Sequence, residues 1–246
     1  MKTINIKFNK DYRSVFKAGQ EIHIPIQMMG ITYLVGQNGC GKSTILRAIR
    51  NTNDSMHKKL KHDFDGCRNK KLSSVMDAQR DGIIEITGLE KYTHIFAFDA
   101  EVDDCTNGLN AASAYGFVTG GGWAAQFTSR GQTAGAQFIK FIKYFNECAK
   151  KAIEGDGRFQ PLVIIDEIDE SLDLRMQVKW NEILADHFAT WLADILVVSH
   201  NPICMLSKVS STFPVSAVDI TTGTVTTVND YIKNLTGVTI DINYNE

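Results

Sequence analysis

No stretch of this sequence approaches the ~18 apolar residues that a membrane-spanning helix needs. Nor does Met1-Lys-Thr-Ile-Asn lead into an apolar core of signal-peptide length. The expectation is a cytoplasmic protein with no direct membrane insertion. Cysteine is sparse and unpatterned: Cys40, Cys67, Cys105, Cys148 and Cys204 are odd in number and widely spaced. That excludes a disulfide framework and favours a reducing compartment. An excess of one charge is missing too. The formal net charge is −2, which neither advertises nucleic-acid binding nor excludes it. Internal repeats and coiled-coil heptads are absent, so repeat arrays and a long helical arm are not expected.

What is present is enough for a core. The 246 residues are 43% hydrophobic, sufficient for one large α/β domain or two small ones. Thr3-Ile-Asn-Ile-Lys-Phe8 and Glu21-Ile-His-Ile-Pro-Ile26 alternate as strands do, and Pro25 suits an edge. Between them, residues 11–16 make a hairpin connection, or else bring Tyr12 or Arg13 to a ligand. Residues 51–81 are polar and predict surface helices and loops. The basic cluster around residues 57–71 could touch an anionic partner such as nucleic acid, though a solvated face is the plainer alternative. His57, His62 and Cys67 lie there without any metal-ligand spacing.

Residues 82–87 and 92–98 read as two strands joined by a short turn at Gly88. The acidic cluster of residues 99–104 follows directly, either facing a ligand at the strand ends or solvated. Residues 106–137 are Gly, Ala, Ser and Thr rich and loop-like. Phe138, Phe141, Ile142, Phe145, Ala149 and Ile153 then recur at helical spacing, and Gly155-Asp-Gly ends that helix. Leu162-Val-Ile-Ile-Asp-Glu167 and Ile195-Leu-Val-Val-Ser-His200 are continuous aliphatic runs ending in polar pairs, as buried parallel strands do. The intervening helix places Met176, Trp180, Ile183, Leu184, His187, Phe188 and Trp191 on its core side. Residues 215–220 and 224–228 read as a hairpin, and residues 238–246 as a short strand with an acidic tail.

The chemistry centres on Gly36-Gln-Asn-Gly-Cys-Gly-Lys-Ser-Thr44, a P-loop between a predicted strand and helix. Its glycines, Gly36, Gly39 and Gly41, permit turns that a Cβ obstructs. The N–H groups of the loop, with Asn38, Cys40 and Thr44 among its residues, then form an anion nest at a helix N-terminus. Lys42 would reach the β- and γ-phosphates, and Ser43 would ligate Mg²⁺. Asp166 follows four aliphatics, where it would hold Mg²⁺. Glu167 is placed to polarise an attacking water, and His200 to hydrogen-bond the γ-phosphate. Lys42, Glu167 and His200 are the expected catalytic residues, Ser43 and Asp166 the expected metal ligands, and ATP and Mg²⁺ the expected ligands.

The order of these motifs resembles that of ABC-type ATPase domains over nearly the whole chain. Ser129-Arg-Gly-Gln132 matches the family's signature, with Thr128 in place of its Leu and Arg130 in place of its first Gly. Leu172-Asp173 matches the D-loop, and His200 the switch histidine. Two departures stand out: the Q-loop Gln has no counterpart after Phe98, where Asp99 or Glu101 stands, and the signature is degenerate. Both, with Tyr12-Arg-Ser-Val15, resemble the soluble SMC-like and overcoming-lysogenization-defect-like branches more than transporter cassettes. The resemblance implies a single domain over residues 1–246: a P-loop NTPase with a mainly parallel sheet, an N-terminal antiparallel β portion and a helical signature subdomain at about residues 100–155. It also implies a homodimer on ATP binding, with Ser129, Gly131 and Gln132 of one copy facing the nucleotide of the other, and a further protein partner. The alternative is the nucleotide-binding subunit of an ABC transporter.

Overall fold

The computed structural model describes residues 2–52, 70–100, 130–155, 157–209 and 213–237. Two sheets face each other across one helix. The smaller is antiparallel, in the order β2 (Glu21–Ile26), β1 (Lys2–Phe8), β4 (Ile84–Thr87). The larger has six strands in the order β5 (His94–Asp99), β6 (Pro161–Asp166), β7 (Asp194–Val198), β3 (Ile31–Val35), β8 (Val215–Asp219), β9 (Thr224–Thr226). Its pairs are parallel except β8–β9. The expected α/β class, with a mainly parallel sheet and an N-terminal antiparallel portion, is what the chain forms. Pro25 lies on edge strand β2, opposite Thr3, where its missing N–H costs no ladder bond.

Helix α1 (Lys42–Asn51) fills the space between the sheets. Eight of its residues, including Lys42, Arg47 and Arg50, are buried. Ile45, Leu46 and Ile49 pack with Ile4, Ile6 and Ile24 on one side and Leu34, Ile164, Leu196 and Val198 on the other. The opposite face of the parallel sheet is covered by α3 (Arg130–Gly155), through Phe138, Phe141 and Phe145, and by α5 (Trp180–Phe188), through Trp180, Leu184 and Phe188. Burial on both faces is why β3, β6 and β7 read as unbroken aliphatic runs. The remaining described helices are α2 (Lys70–Arg80), α4 (Leu174–Gln177), α6 (Pro202–Leu206) and α7 (Val228–Thr236).

The two strands expected on either side of Gly88 form as β4 and β5, in different sheets. Gly88 (φ 90°) passes directly over the Thr3 carbonyl, where any Cβ would collide, and sends the chain from one sheet to the other. The helix that carries Phe138, α3, begins at Arg130 and so includes residues 130–137, whose composition reads as loop-like. Other expectations are corrected. The predicted helix after β6 is broken into α4 and α5. Met176 and His187 were expected on the core side, yet both are exposed. Ile153, near the end of α3, is also exposed. Helix α7 begins at Val228, the last residue of the expected strand 224–228, and covers residues for which no element was expected; it is opened by the Thr227 side chain, which accepts from the Asp230 N–H at 3.1 Å. Residues 238–246, His57, His62, Cys67 and the acidic cluster beyond Ala100 lie outside the described residues.

Candidate active site

The parallel register brings three strand ends together. Val198 on β7 lies opposite Leu34 on β3 and opposite Asp166 on β6. The loop after β3, the carboxylates after β6 and the Ser199-His200 pair after β7 therefore share one edge of the sheet.

The loop turns on Gly36 (φ 143°), Gly39 (φ 80°) and Gly41 (φ 98°). At Gly41 a Cβ would enter the Phe16 ring, and Phe16 is itself stacked on Phe8 at 4.0 Å. Asn38 and Gly39 are exposed at the tip. Lys42 Nζ crosses the loop and donates to the carbonyls of Gly36 (2.9 Å) and Gln37 (3.1 Å), with Cys40 Sγ at 3.9 Å. Of the two N-terminal candidates, Arg13 comes to the loop helix: Nη1 donates to Thr44 Oγ1 at 2.8 Å and Nη2 to Ser74 Oγ at 2.8 Å. Arg13 has φ 46°, an unusual backbone for a non-glycine residue, and it lies against the Tyr12 ring.

Ser43 Oγ lies 3.2 Å from Asp166 Oδ1 and 3.3 Å from Glu167 Oε1. His200 Nε2 lies 3.2 Å from the same Glu167 oxygen. Lys42, Ser43, Asp166, Glu167 and His200 are thus brought into one group. Glu167 has φ 53° and ψ 28°, a left-handed backbone that a non-glycine residue holds only at a cost of about 1–3 kcal/mol. Its N–H is pinned by the Val198 carbonyl at 3.1 Å. The strain turns the carboxylate toward Ser43 and His200.

Asp166 is buried, and its Oδ2 atom has no hydrogen-bond partner. Burial, then the nearby Asp99 and Glu167 carboxylates, push its carboxyl well above the usual range, while Arg47 opposes them. An orphaned buried carboxylate oxygen beside a serine hydroxyl fits a hard divalent cation such as Mg²⁺, which takes few protein oxygens and completes its shell with water and phosphate. Among the described residues no group of three or more His, Cys, Asp or Glu side chains forms a metal-holding cluster.

Three contributors were not visible in the sequence. Asp99, left open between ligand contact and solvent, is buried and accepts from Arg47 Nε at 2.7 Å. Asp169 Oδ2 accepts from Ser199 Oγ (2.8 Å) and the Asn201 N–H (3.2 Å). Tyr231, on the unexpected α7, meets the Gly36 backbone, and burial raises its hydroxyl above the usual value. Only the Thr-x-x-Asp box at residues 227–230 could have signalled any of the three. Leu172 is buried and Asp173 caps α4, accepting from the Met176 N–H at 2.9 Å. Ser129 lies outside the described residues, and Gly131 and Gln132 are in the first turn of α3.

No family model matches the chain. Over 51 residues it is 39% identical to the phosphate import ATP-binding protein PstB 1 of Pseudomonas putida. Over that stretch the chain is ABC ATPase-like. The match takes in 21% of this chain and spans 18% of the relative's length. A chain of an inward-facing ABC transporter structure of metal-chelate type aligns over 97% of this chain and 90% of its own, at 13% identity and a TM-score of 0.42, values too low to establish a common fold. Among the described residues, no helix is long and apolar enough to cross a membrane.

Proposed function

We propose that the chain is a Mg²⁺-dependent ATPase that hydrolyses ATP to ADP and phosphate. The observation that carries this is the hydrogen-bonded group of Ser43, Asp166, Glu167 and His200 at the mouth of a glycine loop. Lys42 would exchange its two loop carbonyls for phosphate oxygens, and the loop N–H groups would receive the remaining charge. Ser43 and Asp166 would hold Mg²⁺, which would supply positive charge to offset that of the phosphates. Glu167 would take the proton of the attacking water. His200, held beside it, would donate to the transferred phosphoryl group.

The match to an ATP-binding protein supports the nucleotide. The signature-like residues Ser129, Gly131 and Gln132 support a site shared between two head-to-tail copies, each completing the pocket around the other's Lys42. The degenerate signature and the missing Q-loop Gln favour a soluble ATPase that drives a protein partner, in DNA maintenance or phage–host conflict. A second reading, a transporter's nucleotide-binding subunit, is favoured by the phosphate-import relative. The deciding experiment is phosphate release alongside light scattering. Release by the unsubstituted chain, lost in Glu167→Gln with an ATP-dependent doubling of mass, is expected. An Mg-ATP-saturated Glu167→Gln chain that stays monomeric would rule out the shared site. Recovery of a multi-span membrane protein on the trapped chain would favour the transporter reading.

A further inference from the structure

We infer that Asn181 is a positioning residue for His200: with Tyr33 and Ser207 it fixes the far end of the short helix that follows the histidine. The inference rests on the ATPase reading of the site. Helix α6 (Pro202–Leu206) starts just after His200 and buries only Cys204 and Met205. So short a helix has little stability of its own, and its place must come from its contacts. Asp169 and Asn201 hold its N-terminal end. Asn181 holds the other: its Nδ2 donates to the carbonyls of Met205 (3.2 Å) and Ser207 (2.8 Å). Its Oδ1 accepts from the Tyr33 hydroxyl at 2.6 Å, and its N–H donates to Ser207 Oγ at 2.8 Å. Ser207 Oγ in turn donates to the Cys204 carbonyl at 2.8 Å.

Tyr33, Asn181 and Ser207 are all buried. A buried polar network fixes one geometry when its members are satisfied, and here the amide oxygen and both amide protons of Asn181 have partners. Tyr33 lies on β3 shortly before Gly36, so the network ties the end of α6 to the strand that leads into the phosphate loop. A rod held at one end alone can pivot. Held at both ends, α6 fixes the level of His200 against that loop and against Glu167, 3.2 Å away. A purely structural link between α5 and α6 predicts something different: its loss lowers stability and leaves the contact of the histidine unchanged.

The test follows the imidazole resonance of His200 by NMR of the full chain, assigned by its absence from His200→Ala. In the otherwise unsubstituted chain, Glu167→Gln should displace that resonance. In an Asn181→Ala chain, Glu167→Gln should leave it in place, because the contact is already lost. Equal displacement in both backgrounds, or none in either, would overturn the inference. Turnover gives a second readout. Asn181→Ala is expected to lower kcat about tenfold or more, with ATP affinity unchanged. With His200→Ala already present it should lower kcat less than about twofold, since the two residues act as one unit. An equal loss in both backgrounds would mark a structural role and overturn the inference. If circular dichroism shows that Asn181→Ala does not fold, Tyr33→Phe takes its place, with the same expected and overturning results; it keeps the ring and removes one oxygen. Absence of phosphate release by the unsubstituted chain would sink the ATPase reading alone, and the resonance would still decide the role of Asn181.

Discussion

Asp169 grips the chain on both sides of His200. Its Oδ2 atom accepts from the Ser199 hydroxyl at 2.8 Å and from the Asn201 N–H at 3.2 Å. Asn201 in turn caps α6, accepting from the Ile203 N–H at 2.9 Å. The histidine therefore projects from a three-residue segment with anchored neighbours, and its 3.2 Å approach to Glu167 is set from outside the pocket.

Removing that anchor should show in turnover before binding. Asp169→Ala leaves the Ser199 hydroxyl and the Asn201 N–H only their contacts with each other, 3.4 Å to the Asn201 carbonyl and 3.1 Å to Ser199 Oγ, at a cost of about 1–3 kcal/mol in stability. It lets His200 drift, for which a loss of up to about 10²-fold in kcat is expected, with ATP affinity little changed. Steady-state kinetics and a denaturant titration on one preparation separate the two effects. Equal losses in kcat and in ATP affinity would mean that the whole loop has moved.

Asp169 also gives a pH signature. Burial raises its carboxyl above the ordinary value, against the hydrogen bonds from Ser199 and Asn201. A carboxyl raised on folding binds its proton more tightly in the native state than in the unfolded chain. Its ionised form therefore costs stability above the folded value, and the cost fades as pH falls toward the unfolded value near about 4. Asp169→Asn should gain on the unsubstituted chain at neutral pH and lose that gain on acidification. Thermal melts of both proteins from pH 8 down to about pH 4 test this, and a gap that widens at low pH would contradict it.

Cys40 offers a chemical probe of the loop. Its thiol is partly exposed and 3.9 Å from Lys42 Nζ. Alkylation there should abolish ATP binding, and a Cys40→Ser chain treated alike should bind normally. Full ATP binding by a chain shown by mass spectrometry to be alkylated at Cys40 would mean that the nucleotide lies elsewhere.

At Gly41 two penalties coincide. Gly41→Ala places a Cβ at φ 98° and into the Phe16 ring. A loss of about 1–3 kcal/mol from the backbone alone is expected, with ATP affinity reduced as the loop reshapes. Trimming Phe16 to Leu in the same chain should recover part of the steric cost but not the dihedral cost. Full recovery would show that the backbone at Gly41 is unstrained.

The parallel strands, the loop and the carboxylate pair were legible because each is carried by neighbours in sequence. Residues 31–44 hold strand, turn and helix in one run, and four aliphatics announce Asp166. The misses lie where partners are distant or where periodicity is interrupted. Arg47 and Asp99 are 52 residues apart, and Asp169 and Ser199 are 30 apart, so neither pairing leaves a local mark. His187 was misplaced because the buried stripe of α5 runs through Trp180, Asn181, Leu184 and Phe188, which leaves Ile183 at its margin and His187 outside it. Helix α7 was missed because the alternation of Thr224-Val-Thr-Thr-Val228 outweighed the Thr227–Asp230 cap. Arg13 could be suspected but not placed, since its reach to Thr44 depends on the left-handed turn at its own Cα.

The helix that carries Lys42 and Ser43 is clasped between two sheets, with apolar contacts to both. It cannot tilt or slide without opening a core on each side. Whatever travels during a catalytic cycle must therefore move relative to α1, which makes the phosphate-facing loop the stator of this machine. Amide exchange along residues 42–51 should be among the slowest in the chain, with or without nucleotide.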